Sequence, residues 1–248
     1  YQEEEVTFYN STASISLSGT LTIPQGNGPF PAVVLITGSG PENRDEEVFG
    51  HKPFLVLADH LTRNGIAVLR YDDRGVGSSE GTQAGATSAD FATDTRAALD
   101  YLGKLKNIDA NATGVLGHSE GGLIAMILAS EYRDIDFIVL MAAPGTKGDR
   151  VMTDQSEYIS RKSNIPDSTI AINSKMNHRI FEIIAGEPDP VAGTNSIDLY
   201  VREFLTEMYG ETVEIDQVIA NLHNSIGGAA YNWIRYFINS DPVLLLKM

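Results

Sequence analysis

Apolar and small polar residues alternate over residues 15–23, with Ile15, Leu17, Gly19, Leu21 and Ile23 on one face. A period of two reads as a half-buried strand, and Pro24-Gln25-Gly26 ends it. Residues 6–9 form another extended segment, and a turn at residues 10–13 would join the two as an antiparallel hairpin. The pattern then changes. Residues 31–36 (PAVVLI), 66–70 (IAVLR) and 137–142 (FIVLMA) are nearly continuous apolar runs, as in strands covered on both faces, and residues 113–116 make a shorter strand. Helical spacing separates them. Phe54, Leu57, Ala58 and Leu61 share one face of a helix that Asn64-Gly65 stops. Phe91, Thr95, Ala98, Leu99 and Leu102 do so in a second helix, over residues 89–105, with Ser88 as its N-cap. Residues 122–130 are apolar almost all round, which predicts a buried helix.

Strands alternating with helices predict an α/β fold with a mostly parallel sheet and helices on both faces. From Ala143 the strands cease, and a long polar segment of helical pattern follows, broken at residues 186–193 and at Gly227-Gly228. The expected organisation is a core over residues 1–143, a helical cap over 144–239, and the start of a return to the core over 240–248. Residues 241–246 (DPVLLL) read as the approach to a further strand.

Composition narrows the partners. The formal net charge is −15, which repels phosphate backbones and anionic lipid, so neither nucleic acid nor a membrane surface is an expected partner. With no cysteine in the chain, disulfides, thiolate metal sites and a cysteine nucleophile are excluded. No H-E-x-x-H or other ligand-spaced histidine pair occurs, so no metal is expected. A nucleotide-binding loop fails too, because Gly75-Val76-Gly77 lacks the third glycine and an immediate helix. No cofactor is expected. The chain opens at Tyr1 without a basic and apolar leader, an opening that a processed secreted protein and a trimmed chain share; it leaves the compartment open, with a periplasmic or secreted one slightly favoured over the cytoplasm.

The pattern G-x-S-x-G occurs twice, around Ser79 and around Ser119. A nucleophile elbow needs a strand running straight into the turn and a helix leaving it. Ser119 has both; Ser79 sits in a glycine-rich loop several residues beyond its strand and reads as a loop residue. Ser119 is therefore the candidate nucleophile. The backbone N–H of Glu120, at the start of the following helix, is a candidate oxyanion-hole donor. The second should come from the loop after residues 31–36, with Ser39 the first choice and Gly40 the next.

Four motifs stand in order: Gly38-Ser39-Gly40-Pro41, Asn43-Arg44-Asp45-Glu46, Asp73-Arg74-Gly75-Val76-Gly77-Ser78-Ser79 and Gly117-His118-Ser119-Glu120-Gly121-Gly122. Together they resemble the α/β-hydrolase superfamily, in particular a branch of bacterial serine esterases with a G-S-G-P-x-x-R-D-E loop. The resemblance covers about residues 5–143. It implies hydrolysis of short acyl esters through an acyl-enzyme, with Arg44, Asp45 and Glu46 either shaping the pocket mouth or forming a solvated charge run.

A serine hydroxyl needs a base, itself oriented by a carboxylate. The family order of Ser, then acid, then His places both partners beyond Met248. A longer native chain or a second polypeptide would then complete the sheet beside residues 137–142. Of the five histidines, His118 should diverge from Ser119, His51 and His60 read as surface residues, and His178 or His223 could approach from the cap. The cap aromatics read first as packing and second as an acyl pocket. A peptidase or acyl-thioesterase on the same fold, or a catalytically incomplete hydrolase, are the alternative readings.

Overall fold

A computed structural model describes residues 1–210 and 214–247. Met248, beyond which the serine's partners were expected, lies outside those residues. The chain divides into two compact units: Tyr1–Gln83, Ser88–Pro144 and Pro242–Met248 in one, Ala84–Thr87 and Gly145–Asp241 in the other.

The first unit is built on a six-stranded sheet of order β1-β2-β4-β3-β5-β6. Strands β1 (Gln2–Asn10) and β2 (Ile15–Ile23) form the expected antiparallel hairpin, with Asn10 opposite Ile15. β2 also runs antiparallel to β4 (Ala67–Tyr71). From there β4, β3 (Phe30–Ile36), β5 (Ile108–His118) and β6 (Phe137–Met141) are mutually parallel. Every residue of β4 is buried, which is why its sequence shows a run and not an alternation.

Helix α1 (Pro53–Arg63) buries Phe54, Ala58 and Thr62. Phe54 and Ala58 pack with Val33, Leu35, Val68 and Leu116 of the sheet. Phe54 is fully buried, so truncating it to alanine should cost about 3–5 kcal/mol. Helix α2 (Ser88–Leu102) begins at Ser88. The hydroxyl of that residue donates to Glu120 Oε1 at 2.6 Å; it links α2 to the next helix instead of standing before α2 as a cap. Helix α3 (Glu120–Glu131) is buried continuously from Glu120 to Leu128, as its all-round apolar sequence predicts.

Between the last residue of β5 and the first of α3 stands Ser119 alone. β5 is also longer at its start than the apolar residues 113–116 suggest. Residues 109–112 are polar or small, yet Ile108 pairs with Phe30 across a register shift that absorbs them.

The second unit is helical: α4 (Gly148–Lys162), α5 (Asp167–Gly186), α6 (Pro190–Tyr209), α7 (Ile215–Ile226) and α8 (Ala229–Asn239). Its core gathers Ile184, Ile197, Val201, Phe204, Tyr231 and Ile234. Tyr231 and Phe204 thus serve packing. A side chain on Gly193 would meet Tyr231 Oη at 1.9 Å, so glycine at that point of α6 lets the ring in. That hydroxyl donates to Glu187 O at 2.8 Å.

One expectation is overturned. Residues 242–245 form a helical turn, α9 (Pro242–Leu245), and not a strand. Leu246 N–H donates to Pro242 O at 3.1 Å, and Val243, Leu244 and Leu246 are 48%, 61% and 57% exposed. A short apolar run fits a strand or a helical turn equally by pattern; here no sheet partner covers it.

Candidate active site

Ser119 has φ 52° and ψ −117°, a left-handed conformation that L-residues with a side chain avoid. Two hydrogen bonds hold it there: its N–H donates to Met141 O at 2.9 Å, and its carbonyl accepts from Gly122 N–H at 2.9 Å. The glycines around it are required by space. A Cβ on Gly117 would lie 2.0 Å from Gly121 O, and one on Gly121 would lie 2.2 Å from Ile36 O. The strand-to-helix corner is therefore packed backbone against backbone, and only the serine projects a side chain from its apex. Ser119 is half-buried, and its hydroxyl makes no hydrogen bond among the described residues.

The loop after β3 lies against this corner. A Cβ on Gly38 would stand 3.5 Å from Ser119 Cβ and 3.4 Å from His118 Nδ1. Gly38 N–H donates to Glu46 Oε1 at 2.9 Å, so it is committed elsewhere. Ser39 and Gly40, the residues expected to supply the second oxyanion donor, are exposed, and Gly40 adopts φ 107°. Glu120, expected to supply the first, opens α3 with its side chain buried.

Two carboxylates anchor the loop. Asp73 accepts from Thr37 Oγ1 at 2.8 Å and from Glu42 N–H at 3.0 Å, and Gln83 Nε2 donates to it at 3.2 Å. Burial is the main cause that pushes the Asp73 carboxyl up to about 7, against the pull of those donors. Part of its surface still meets solvent. Glu42 is also raised, by burial first and by Glu46 next. A small cleft is lined by Thr37, Gly38, Gly40, Asp73, Arg74 and Phe91 among others. Its floor is polar: Arg74 Nε donates to Asp94 Oδ2 at 2.7 Å, and Asn10 Nδ2 donates to Asp94 Oδ1 at 2.7 Å.

The Arg44-Asp45-Glu46 run is not a solvated charge run. Arg44 grips Asp72 through Nε at 3.0 Å and Nη2 at 2.7 Å. Burial raises the Asp72 carboxyl, but these bonds bring it below its ordinary value. Asp45 pairs with the buried Arg70. Glu46 is only 5% exposed and lies 2.7 Å from His118 Nδ1. Sequence reasoning missed this carboxylate–imidazole pair; its members lie 72 positions apart, and the one available signal was a histidine beside the nucleophile.

Ser79 is the loop residue it was expected to be. Its hydroxyl donates to Asp72 O at 2.7 Å and accepts from Ser18 N–H at 3.0 Å. The remaining histidines are apart from Ser119 in bonding. His51 and His60 are exposed, His178 is paired with Glu182, and His223 Nε2 lies 2.6 Å from Asp198 Oδ1 in the second unit. Among the described residues, no imidazole hydrogen-bonds the Ser119 hydroxyl, and no group of three or more His, Asp or Glu is placed to hold a metal ion.

A family model described as serine aminopeptidase, S33, matches residues 52–215, which include the Ser119 corner. The chain belongs to this family. Its α/β-hydrolase fold is shared with the α/β hydrolase GrgF from Penicillium sp. sh18, at a TM-score of 0.52 and 18% identity over 66% of this chain and 55% of that one. Among curated relatives, esterase EstD of Thermotoga maritima is 34% identical over 178 residues, 69% of this chain and 42% of that protein. The 2,6-dihydropseudooxynicotine hydrolase of Paenarthrobacter nicotinovorans is 28% identical over 63% of this chain and 41% of its own length. The chain thus spans about two fifths of these relatives' length.

Proposed function

We propose that this protein is a serine hydrolase of carboxylic esters with short acyl groups, acting through an acyl-enzyme on Ser119. The observation that carries the reading is the Ser119 corner: a strained, half-buried serine whose hydroxyl is held by none of the described residues. Ser119 Oγ attacks the ester carbonyl carbon and gives its proton to a base. The carbonyl oxygen, now an oxyanion, receives the Glu120 and Ser39 N–H groups, the first reinforced by the positive end of α3. Collapse expels the alcohol, which takes up the proton, and water then cleaves the acyl-serine by the same steps in reverse order. The similarity to an esterase supports the ester substrate, and the bacterial G-S-G-P-x-x-R-D-E loop agrees with it.

The base and its carboxylate are assigned to no described residue. The outer edge of β6 offers a seat for the strand that would bring them. Phe137, Val139 and Leu140 are each more than a third exposed there, and β6 pairs only with β5 among the described residues. We assign that seat to a further segment of the native polypeptide. Binding of a separate protein would contradict the assignment, as intact mass and size of the native product would show.

Turnover of p-nitrophenyl acetate by the purified protein tests the ester reading. Ser119→Ala should lower kcat at least about 1,000-fold. The family name makes a peptidase the second reading; faster turnover of an alanine p-nitroanilide than of the acetate ester would favour it. Absence of any Ser119-dependent turnover would refute both.

A further inference from the structure

Glu46 takes no part in the acyl-transfer steps, yet the chain goes to unusual lengths to place it. Its backbone has φ 51°, a region disfavoured for any residue with a Cβ. Its side chain is buried, where an ionised carboxylate needs compensating donors. The turn that carries it is pinned on the residues just before it. Arg44 is locked to Asp72 through two side-chain bonds, and Arg44 N–H also donates to Asp72 Oδ1 at 2.9 Å. Asp45 is paired with Arg70, and Asp45 O accepts from Phe54 N–H at 3.2 Å.

What this delivers is one oxygen, Glu46 Oε1, to two places at once. It accepts from Gly38 N–H at 2.9 Å, inside the loop that follows β3, and lies 2.7 Å from His118 Nδ1, beside the nucleophile. With Glu46 ionised, the imidazole donates from Nδ1. Gly38 stands between: a Cβ there would touch Glu46 Oε1, His118 Nδ1 and Ser119 Cβ at 3.4–3.5 Å. The ends of the same loop are held by Asp73, through Thr37 and Glu42. Its middle is therefore oriented by Glu46. The Gly38 N–H belongs to the Thr37–Gly38 peptide, so its bond to Glu46 fixes that planar unit, and with it the place from which the chain enters Ser39.

We infer that Glu46 is a positioning residue, whose single oxygen ties Gly38 to His118 and so holds the loop that carries the Ser39 N–H against the Ser119 corner. The inference rests on the acyl-transfer reading of Ser119. Preorganised donors contribute to catalysis only when held at the place where charge develops. A displaced loop would thus slow chemistry more than it weakens substrate binding.

The test compares Glu46→Ala with Glu46→Gln. Glutamine keeps one carbonyl oxygen that can accept from both partners, while it loses the charge and carries an NH2 in place of the second oxygen. Glu46→Ala should lower kcat on p-nitrophenyl acetate about 100-fold with KM changed less than about threefold, and Glu46→Gln should restore most of the loss. Amide hydrogen exchange of a peptide spanning residues 37–42 should quicken in Glu46→Ala and stay at the wild-type rate in Glu46→Gln. Exchange in β3 should be unchanged in both, showing an intact fold. If Glu46→Ala does not fold, Glu46→Asp, one methylene shorter, takes its place with the same expected pattern.

Unchanged loop exchange in the alanine variant overturns the inference. So does a glutamine variant as slow as alanine with normal exchange, which would make the Glu46–His118 pair part of the proton-transfer chemistry. A wild type without Ser119-dependent turnover removes the esterase reading, and the exchange measurement then decides the role of Glu46 alone.

Discussion

Asp73→Asn offers a quantitative test of how the loop beside Ser119 is anchored. In the folded protein the Asp73 carboxyl is raised to about 7 from an ordinary value of 3.8, chiefly by burial. Between those values the folded chain holds a proton there that the unfolded chain has released. Stability from this group is therefore fully present below about pH 4 and is lost as pH rises through 7. At about 1.36 kcal/mol per pKa unit, the rise from 3.8 to about 7 caps the effect at about 4 kcal/mol. The window from pH 5 to 8 contains about 3 kcal/mol of it, and the partial solvent contact of Asp73 brings the expected value nearer 2 kcal/mol. Asparagine does not titrate, and its NH2 group cannot accept, so one of the bonds that the two Asp73 oxygens take from Thr37 Oγ1 and Glu42 N–H is lost. That second defect shifts stability by a constant, so the readout is the pH dependence of the difference between the two proteins. Urea unfolding of both, followed by circular dichroism from pH 5 to 8, should show the wild type losing about 2 kcal/mol relative to Asp73→Asn. Parallel curves, or a wild type that gains with rising pH, would refute the burial argument.

Other consequences follow from the same geometry. Gly121→Ala should destabilise by at least about 3 kcal/mol or abolish folding, because its Cβ would meet the backbone oxygens of Ile36 and Thr37 at 2.2 and 2.6 Å. Gly145→Ala, with nothing within 4 Å, should shift stability by less than about 0.5 kcal/mol, both variants being read by urea unfolding. Arg44→Ala leaves the buried Asp72 carboxylate without its guanidinium and should cost about 3 kcal/mol by chemical denaturation. Ser79→Ala should cost about 1–2 kcal/mol through its two lost hydrogen bonds while leaving ester turnover, corrected for folded protein, at the wild-type level.

The strand-to-helix corner at Ser119 was legible in the sequence because its requirements are local. A strand, a one-residue corner and a buried helix must follow one another, with glycine where backbones touch, and Ser119 satisfied this while Ser79 did not. The buried strands were legible for a related reason: residues covered on both faces leave an unbroken apolar run, as in β3 and β4. The polar start of β5 was not, because its pairing with Phe30 depends on the neighbouring strand. Residues 242–245 misled because four apolar residues carry no period, and the helical turn they form is decided by what fails to cover them. The loop's anchors were invisible for a different reason. Glu46 reaches His118 and Asp73 reaches Thr37 across 72 and 36 positions, and nothing in a charged tripeptide tells a solvated run from one locked to Asp72, Arg70 and His118.

The central claim is that the Ser119 oxygen is the nucleophile. Its most direct test is covalent capture by a small fluorophosphonate, read by intact mass and peptide mapping of the purified protein. The account predicts a single adduct on the peptide holding Gly117 to Gly121, absent after Ser119→Ala and undiminished after Ser79→Ala. An adduct on another residue, or one that persists in Ser119→Ala, would contradict it.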